Sequence, residues 1–364
     1  MLYSIFILFV SVYVMRKCSS SFDIAANYLT RDLGEGIKGP TINAIASSLP
    51  ELLISSMFLF HFKDIKGFSA GYATIIGSSA FNIAMIPVIA FIYIYIKKGK
   101  EKVFHINKEI VKQDSFFLLG SIIILSLGFF VGINVYLASM LILFYFSYVY
   151  YVIQTRSTDI INNNLEINNT IIPTEDGKFF PSVLSLRLFR IFFKGRVDSF
   201  TSIFVLLASV LIIGGSCYLL VLATEDLSHH LGINLFFGAF IIAAIASSIP
   251  DTIFSVQDAK NDRFIDSFSN AYGSNIFDIC IGIGLPVLVY SFLYGSISMN
   301  IPIERIGWLG NYMLSGNLFI WSLLILFSFT IIVSLVYYKF SLKLNSAFVI
   351  FFLYILFVIA LIIF

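Results

Sequence analysis

Apolar residues fill this chain in long blocks, and short polar stretches separate the blocks. A block of roughly 17–25 apolar residues can cross the hydrocarbon of a bilayer as one helix. The pattern predicts ten such helices: Leu2–Met15, Ile37–Phe60, Gly67–Ile96, Phe116–Val131, Val135–Ile153, Phe200–Ala223, Leu231–Val256, Phe264–Tyr294, Gly316–Tyr338 and Asn345–Phe364. The first is too short to span alone and is expected to continue past Arg16 and Lys17 towards Tyr28. Read instead as a signal peptide, it would carry its basic residues ahead of the apolar core, whereas here they follow it.

Composition turns this pattern into a solvent assignment. The 364 residues are 59% hydrophobic and only 12% charged, where a soluble domain carries about 25% charged residues. Most of the chain therefore has lipid as its surroundings. A net charge of +2 gives no nucleic-acid signature. Cys18, Cys217 and Cys280 are far apart and read as small apolar fillers, so neither a metal nor a cofactor is expected from them. His61, His105 and the pair His229–His230 read as solvated loop residues, and Asp23, Asp32, Glu35 and Asp64 as solvated loop charges, while Asp258, Asp262 and Asp266, after the second Ser-Ser-x-Pro-acid stretch, read as a solvated helix end.

The basic residues are distributed unevenly. With the amino terminus outside, the loops on the cytoplasmic side collect 20 of the 23 Lys+Arg, and only Lys63, Lys66 and Arg305 fall on the other side. This satisfies the positive-inside rule with both termini extracellular or lumenal. The longest polar break, 154–198, is rich in asparagine and reads as a flexible cytoplasmic linker. Its Asn168-Asn169-Thr170 sequon would then face the wrong side for glycosylation. The linker divides the chain into a five-helix half at 1–153 and a second at 199–364.

The two halves share a plan. Ala44-Ile45-Ala46-Ser47-Ser48-Leu49-Pro50-Glu51 returns as Ala244-Ile245-Ala246-Ser247-Ser248-Ile249-Pro250-Asp251. On the following helix, Gly77-Ser78-Ser79-Ala80-Phe81-Asn82 is answered by Gly273-Ser274-Asn275-Ile276-Phe277-Asp278. Five helices separate each element from its copy, an odd number, so the copies cross in opposite senses. The expected fold is an all-α polytopic membrane protein of two inverted repeats, with core repeats at about 37–96 and 231–294.

Ionisable residues inside a membrane helix mark function. Ser47 and Ser48 lie one turn before Glu51 and share its face, and Ser247 and Ser248 stand likewise to Asp251. Pro50 and Pro250 lack an N–H, so they are expected to open the turn and free carbonyls for a bound ion. Ser78 with Asn82, and Ser274 with Asp278, are i, i+4 pairs that add oxygens. Gly77 and Gly273 permit close helix approach. An all-oxygen set suits a hard cation such as Ca²⁺, which takes about 6–8 oxygens, and the lack of His or Cys argues against zinc or copper. Glu51, Asp251 and Asp278 together would cost roughly 8–10 kcal/mol if ionised and uncompensated in lipid. One divalent plus one monovalent ion, or three monovalent ions, would neutralise them, which suits exchange.

At these residues the chain resembles the calcium:cation antiporter superfamily, the Na⁺/Ca²⁺ exchangers, whose two alpha-repeats carry paired motifs of this form. The resemblance covers roughly 22–87 and 227–286, and within the superfamily looks closest to the potassium-dependent members, through Ser248-Ile249-Pro250-Asp251-Thr252 and the acid at Asp278. It implies Glu51 and Asp251 as central ligands. It further implies Ser47, Ser48, Ser78, Asn82, Ser247, Ser248, Ser274 and Asn275 as completing ligands, backbone carbonyls from Ala44 and Ala244 as well as Ser47 and Ser247, and Asp278 as a potassium determinant. Three positions depart from the pattern: Ala46 and Ala246 stand for the motif glycine, and Ser79 for Ala or Asn.

The implied activity is antiport of Na⁺ against Ca²⁺, with K⁺ travelling beside Ca²⁺, and the bilayer as the protein's partner. Proton-coupled calcium exchange is the alternative coupling, and a cation channel the alternative class. The residues fit an enzyme poorly. HExxH is absent, and a two-aspartate protease built on Asp251 and Asp278 would leave the Glu51 copy without a role.

Overall fold

The computed structural model describes residues 1–29, 41, 44–98, 106–156, 188, 198–297, 318–340 and 342–363. The linker interior, its sequon, His105, Arg31, Asp32, Glu35, Lys38 and Arg305 lie outside the described residues.

The described chain is helical almost throughout. Its elements are α1 (Leu2–Leu29), α2 (Ala44–Ser47), α3 (Leu49–Phe62), α4 (Ile65–Lys98), α5 (Lys108–Val131) and α6 (Val135–Arg156). After the linker come α7 (Ser199–Leu231), α8 (Leu235–Gly238), a π-helical turn at Ala239–Ala243, α9 (Ala244–Ser247) and α10 (Ile249–Lys260). They are followed by α11 (Phe264–Phe277), a second π-helical turn at Asp278–Ile283, α12 (Gly284–Tyr294), α13 (Leu318–Lys339) and α14 (Leu344–Ile363).

Among the described residues, nine stretches are long and apolar enough to cross a membrane, counting each broken helix of the second half as one. The tenth expected crossing is the α2–α3 pair, whose upstream part lies outside the described residues. The first run does continue through Arg16 and Lys17, as α1, to Leu29. Helices generally overrun the apolar blocks at their ends. α7 extends to Leu231 rather than stopping at Ala223, and α4 reaches 34 residues, about 50 Å at the helical rise. Hydropathy reports the hydrocarbon, about 30 Å thick, whereas backbone hydrogen bonding carries a helix on into the headgroups.

Burial is arranged for lipid. Phe6, Phe9, Leu211, Phe348 and Phe352 face outward, while Ser47, Ser48, Glu51, Asn82, Asp251 and Asp278 are fully enclosed. α1 packs chiefly along α7, where the Met15 thioether meets Cys217 at 3.6 Å, and Cys217 lies 3.8 Å from the Pro50 carbonyl. α7 starts at a capping box in which Asp198 accepts from the Thr201 N–H at 2.7 Å, which holds that carboxyl below its usual range. α4 runs through the centre, against α3, α10, α11, α13 and α14.

Three expectations about loops and helix ends need correction. His61 lies in the last turn of α3 and His229–His230 in the last turn of α7, not in loops, because both helices outrun the apolar signal. His61 has a partner as well, Glu225 at 3.7 Å, which also meets Lys66 at 3.9 Å. Asp258 and Asp266 are buried rather than solvated. Asp258 sits on the inward face of α10, where the Arg263 guanidinium reaches it.

Candidate cation site

Both motifs break their helix at the second serine. α2 ends at Ser47 and α3 begins at Leu49, with Ser48 between them at φ −86° and ψ 4°. The second copy repeats this at Ser248, φ −75° and ψ −2°. Pro50 and Pro250 each fall in the first turn of the new helix, where no N–H is needed. The helix is thus interrupted in the turn ahead of each proline, and a second helix begins there. The carboxylates follow at once, in the first turns of α3 and α10, where helix dipoles favour negative charge.

The third acid arrives differently. Asn82 lies within the unbroken α4, but its counterpart Asp278 opens a π-helical turn. A π turn inserts one residue, a local change frequent at functional sites. Carboxylate oxygens of Glu51, Asp251 and Asp278 all lie within 4.8 Å of one another, and the three residues are fully buried.

The surrounding polar groups pair across the two halves. Asn82 from the first half donates to Asp251 of the second at 2.8 Å and approaches Ser274 at 3.4 Å. Ser248 donates to Ser78 at 3.0 Å, and Ser78 donates to Glu51 at 3.3 Å. Asn275 donates to the Ser79 carbonyl at 2.8 Å. Ser47 stands beside Asp251 and Ser247 beside Glu51, while Ser48 lies by Asp278 outside hydrogen-bond geometry. The Ala44 carbonyl accepts from the Ser48 N–H at 2.9 Å and the Ser47 hydroxyl at 3.4 Å. The Ala244 carbonyl accepts from the Ser248 N–H at 3.1 Å and the Ser247 hydroxyl at 3.0 Å. Either carbonyl could turn to an ion once its serine hydroxyl rotates away. Twelve of the thirteen candidate residues are thus joined to the acids or to one another, while Asn275 reaches the Ser79 carbonyl beside them in sequence.

The chemistry follows from what is left over. Glu51 Oε2, Asp251 Oδ1, both Asp278 carboxylate oxygens, Asn82 Oδ1 and Asn275 Oδ1 are buried acceptors with no donor among the described residues. Burying an acceptor unsatisfied costs about 1–3 kcal/mol each, more for a charged group. Six such atoms, all oxygen, fit a hard cation of the calcium or sodium type. Asn270 and Ser255 were not singled out from the sequence, yet both are fully buried next to this set, with Asn270 Oδ1 3.4 Å from the Ser47 hydroxyl and its amide donating to Ser255 at 3.1 Å. Their spacing was the available signal: Asn270 is one turn before Ser274, and Ser255 one turn after Asp251. Asp114 was also missed. It is buried on α5 and accepts from Tyr148 at 3.2 Å and Ser269 at 3.1 Å.

The fold and the site together define a polytopic membrane protein with an ion-type pocket between two broken helices. Residues 3–154 and 201–363 match the family described as sodium/calcium exchanger protein. The chain belongs to the sodium/calcium exchanger family, a family of transporters and not of enzymes. Human sodium/potassium/calcium exchanger 1 is 34% identical over 93 residues, which is 26% of this chain and 8% of that protein. Mouse sodium/potassium/calcium exchanger 2 is 36% identical over 77 residues, 21% of this chain and 12% of that one. The chain thus spans only a small part of these curated relatives.

Two solved structures share the fold. The H⁺/Ca²⁺ exchanger CAX superimposes with a TM-score of 0.65 at 14% identity, covering 98% of this chain and 80% of that one. The sodium-calcium exchanger NCX_Mj gives 0.57 at 18% identity, covering 98% and 97%.

Proposed function

We propose that this protein is a secondary antiporter that moves Ca²⁺ against Na⁺ by alternating access, with K⁺ carried alongside Ca²⁺. One observation carries the reading: three buried carboxylates, one from the first motif region and two from the second, converge within 4.8 Å. Three negative charges are neutralised equally by Ca²⁺ plus K⁺ or by three Na⁺, so the pocket tolerates either load but is costly in lipid with neither. That is the energetic requirement for coupled exchange. The sodium/potassium/calcium exchangers among its relatives support the same coupling. The thirteen residues from Ala44 to Asp278 named above are proposed as the ligand set, Glu51 and Asp251 at its centre. The 1–153 and 199–364 halves are proposed as the inverted units, joined by a cytoplasmic linker, with both termini on the opposite side. The bias of Lys+Arg supports that orientation.

The test is radiolabelled Ca²⁺ uptake into proteoliposomes. An outward Na⁺ gradient is expected to drive uptake, and K⁺ on the Ca²⁺ side to increase it. Uptake driven by a pH gradient without Na⁺ would replace this reading with proton coupling, and uptake needing no counter-ion would replace it with a channel. Asp278→Asn removes the third charge and is expected to lose most of the K⁺ stimulation while Ca²⁺ remains preferred over Mg²⁺. An unchanged K⁺ dependence in that variant would remove the charge-matching argument.

A further inference from the structure

The two halves can be compared position by position. The motif helices correspond at an offset of 200 residues (Glu51 with Asp251) and the following helices at 196 (Asn82 with Asp278). Near the acids the motif positions that face one another are polar in both copies. One turn further out, only one of four positions, Ser55 with Ser255, keeps the same residue. Beyond Asp251 and Ser274, towards the 261–263 turn, stand Ser255, Asn270, Ser267 and Asp258, all buried. Their counterparts towards the 63–64 turn are Ser55, Thr74, Gly71 and Phe58.

The hydrogen bonding of the two ends differs as well. Asn270 turns its carbonyl oxygen to Ser47, a member of the site, and its amide to Ser255. Ser267 donates to the Ser255 carbonyl at 2.7 Å. On the opposite side Thr74 donates back to its own helix, to the Ala70 carbonyl at 3.0 Å, and offers the site nothing. Ser55 donates to the Gly282 carbonyl at 2.6 Å, and Gly71 packs so tightly that a Cβ there would lie 3.0 Å from the Ser55 backbone. One end of the pocket therefore continues as oxygens, and the other closes on backbone.

We propose that Asn270 is a cation ligand of the transport path. It holds the ion between the acidic pocket and the membrane face that carries the 261–263 turn, and so gives the two faces unequal affinity for calcium. The amide oxygen is a hard, neutral ligand. It strips one hydration water from an arriving ion without adding a charge that would trap it. The Ser47 hydroxyl, 3.4 Å away, hands the ion on to Asp251. The inference rests on the antiporter reading for its cargo, but its geometry is tested separately.

Two measurements decide it. In oriented proteoliposomes, Asn270→Ala is expected to raise the calcium KM about tenfold at the 261–263 face, and less than about twofold at the other. Asn270→Thr, which copies Thr74, is expected to do the same and guards against a folding defect. Equal changes at both faces, or none, overturn the proposal. The second measurement needs no transport. In a background with Cys18, Cys217 and Cys280 replaced, Asn270→Cys is expected to react with a membrane-impermeant thiol reagent from the 261–263 face alone, and Ca²⁺ to slow that reaction. Labelling from the opposite face, no labelling, or no Ca²⁺ protection overturns the proposal. Wild-type protein that fails to exchange would instead count against the antiporter.

Discussion

Glu51→Gln is expected to lower calcium uptake by more than about a hundredfold. The carboxylate is fully buried, one of its oxygens has no donor among the described residues, and two further carboxylates face it. Removing one partner of a buried charge pair costs about 3–5 kcal/mol, which is some two to three and a half decades in affinity at 1.4 kcal/mol per decade. The same substitution acts the other way on the ion-free protein. It removes one of three like charges held in lipid, so the melting temperature without ions should stay level or rise. Asp251→Asn should behave alike, with a milder penalty because Asn82 already donates to that carboxylate. Uptake by flux assay and melting in nanodiscs, measured on the same preparations, check both signs. A variant that melted early without ions and lost transport in proportion would make Glu51 a packing residue instead.

Gly77→Ala should also be damaging, for a steric reason. A Cβ at Gly77 would lie 2.3 Å from the Phe240 carbonyl oxygen and 2.7 Å from the Ala244 methyl group. Neither neighbour is a flexible side-chain end. Phe240 belongs to the π-helical turn and Ala244 opens the second motif. To admit the methyl, α4 and the motif helix must separate, which moves Ala244, Ser247 and Asp251 away from Asn82. Overpacking of this kind costs about 1–3 kcal/mol or more, and the displacement falls on the ligands themselves. The expected outcome is a fall in melting temperature together with at least a tenfold loss of uptake, the loss that ~1.4 kcal/mol of displaced ligands would cause. Gly215→Ala supplies the control. That position has nothing within 4 Å of the added carbon, so only the helix-propensity gain of roughly 1 kcal/mol remains. If the two glycine variants behaved alike, close approach at Gly77 would not be what shapes the pocket.

The parts legible in the sequence are those governed by local rules. Apolar blocks announced the spanning helices because lipid demands them, and the duplicated Ser-Ser-x-Pro-acid stretch announced two breaks because serines and proline act within a turn of themselves. Twelve of the thirteen candidate residues lie within one connected set of contacts, and Asn275 meets only the Ser79 carbonyl. Which hydroxyl meets which acid was not legible. Ser78 donates to Glu51 and Asn82 to Asp251, and neither pairing follows from i, i+4 spacing. The π-helical turn at Asp278–Ile283 left no mark either, since Asn82 occupies the same motif position in a continuous helix. Hydropathy misplaced His61, His229 and His230 because it measures where lipid ends, not where hydrogen bonding ends. It misjudged Asp258 and Asp266 for the converse reason: a polar residue at a helix end looks solvated until a neighbouring helix covers it.

The crosswise pairing also has a consequence for how the molecule is made. Glu51 leaves the ribosome two hundred residues ahead of Asp251, and the hydroxyls of Ser247 and Ser248 arrive with the later segment. Until then the earlier acid must sit in the bilayer without them, at a price of about 2.5–3.5 kcal/mol if charged. The three-acid pocket is therefore incomplete until the segment carrying Asp278 has been inserted. A polypeptide interrupted before its second half is inserted holds an unfinished shell, which gives quality-control machinery a chemical mark by which to tell immature copies from mature ones.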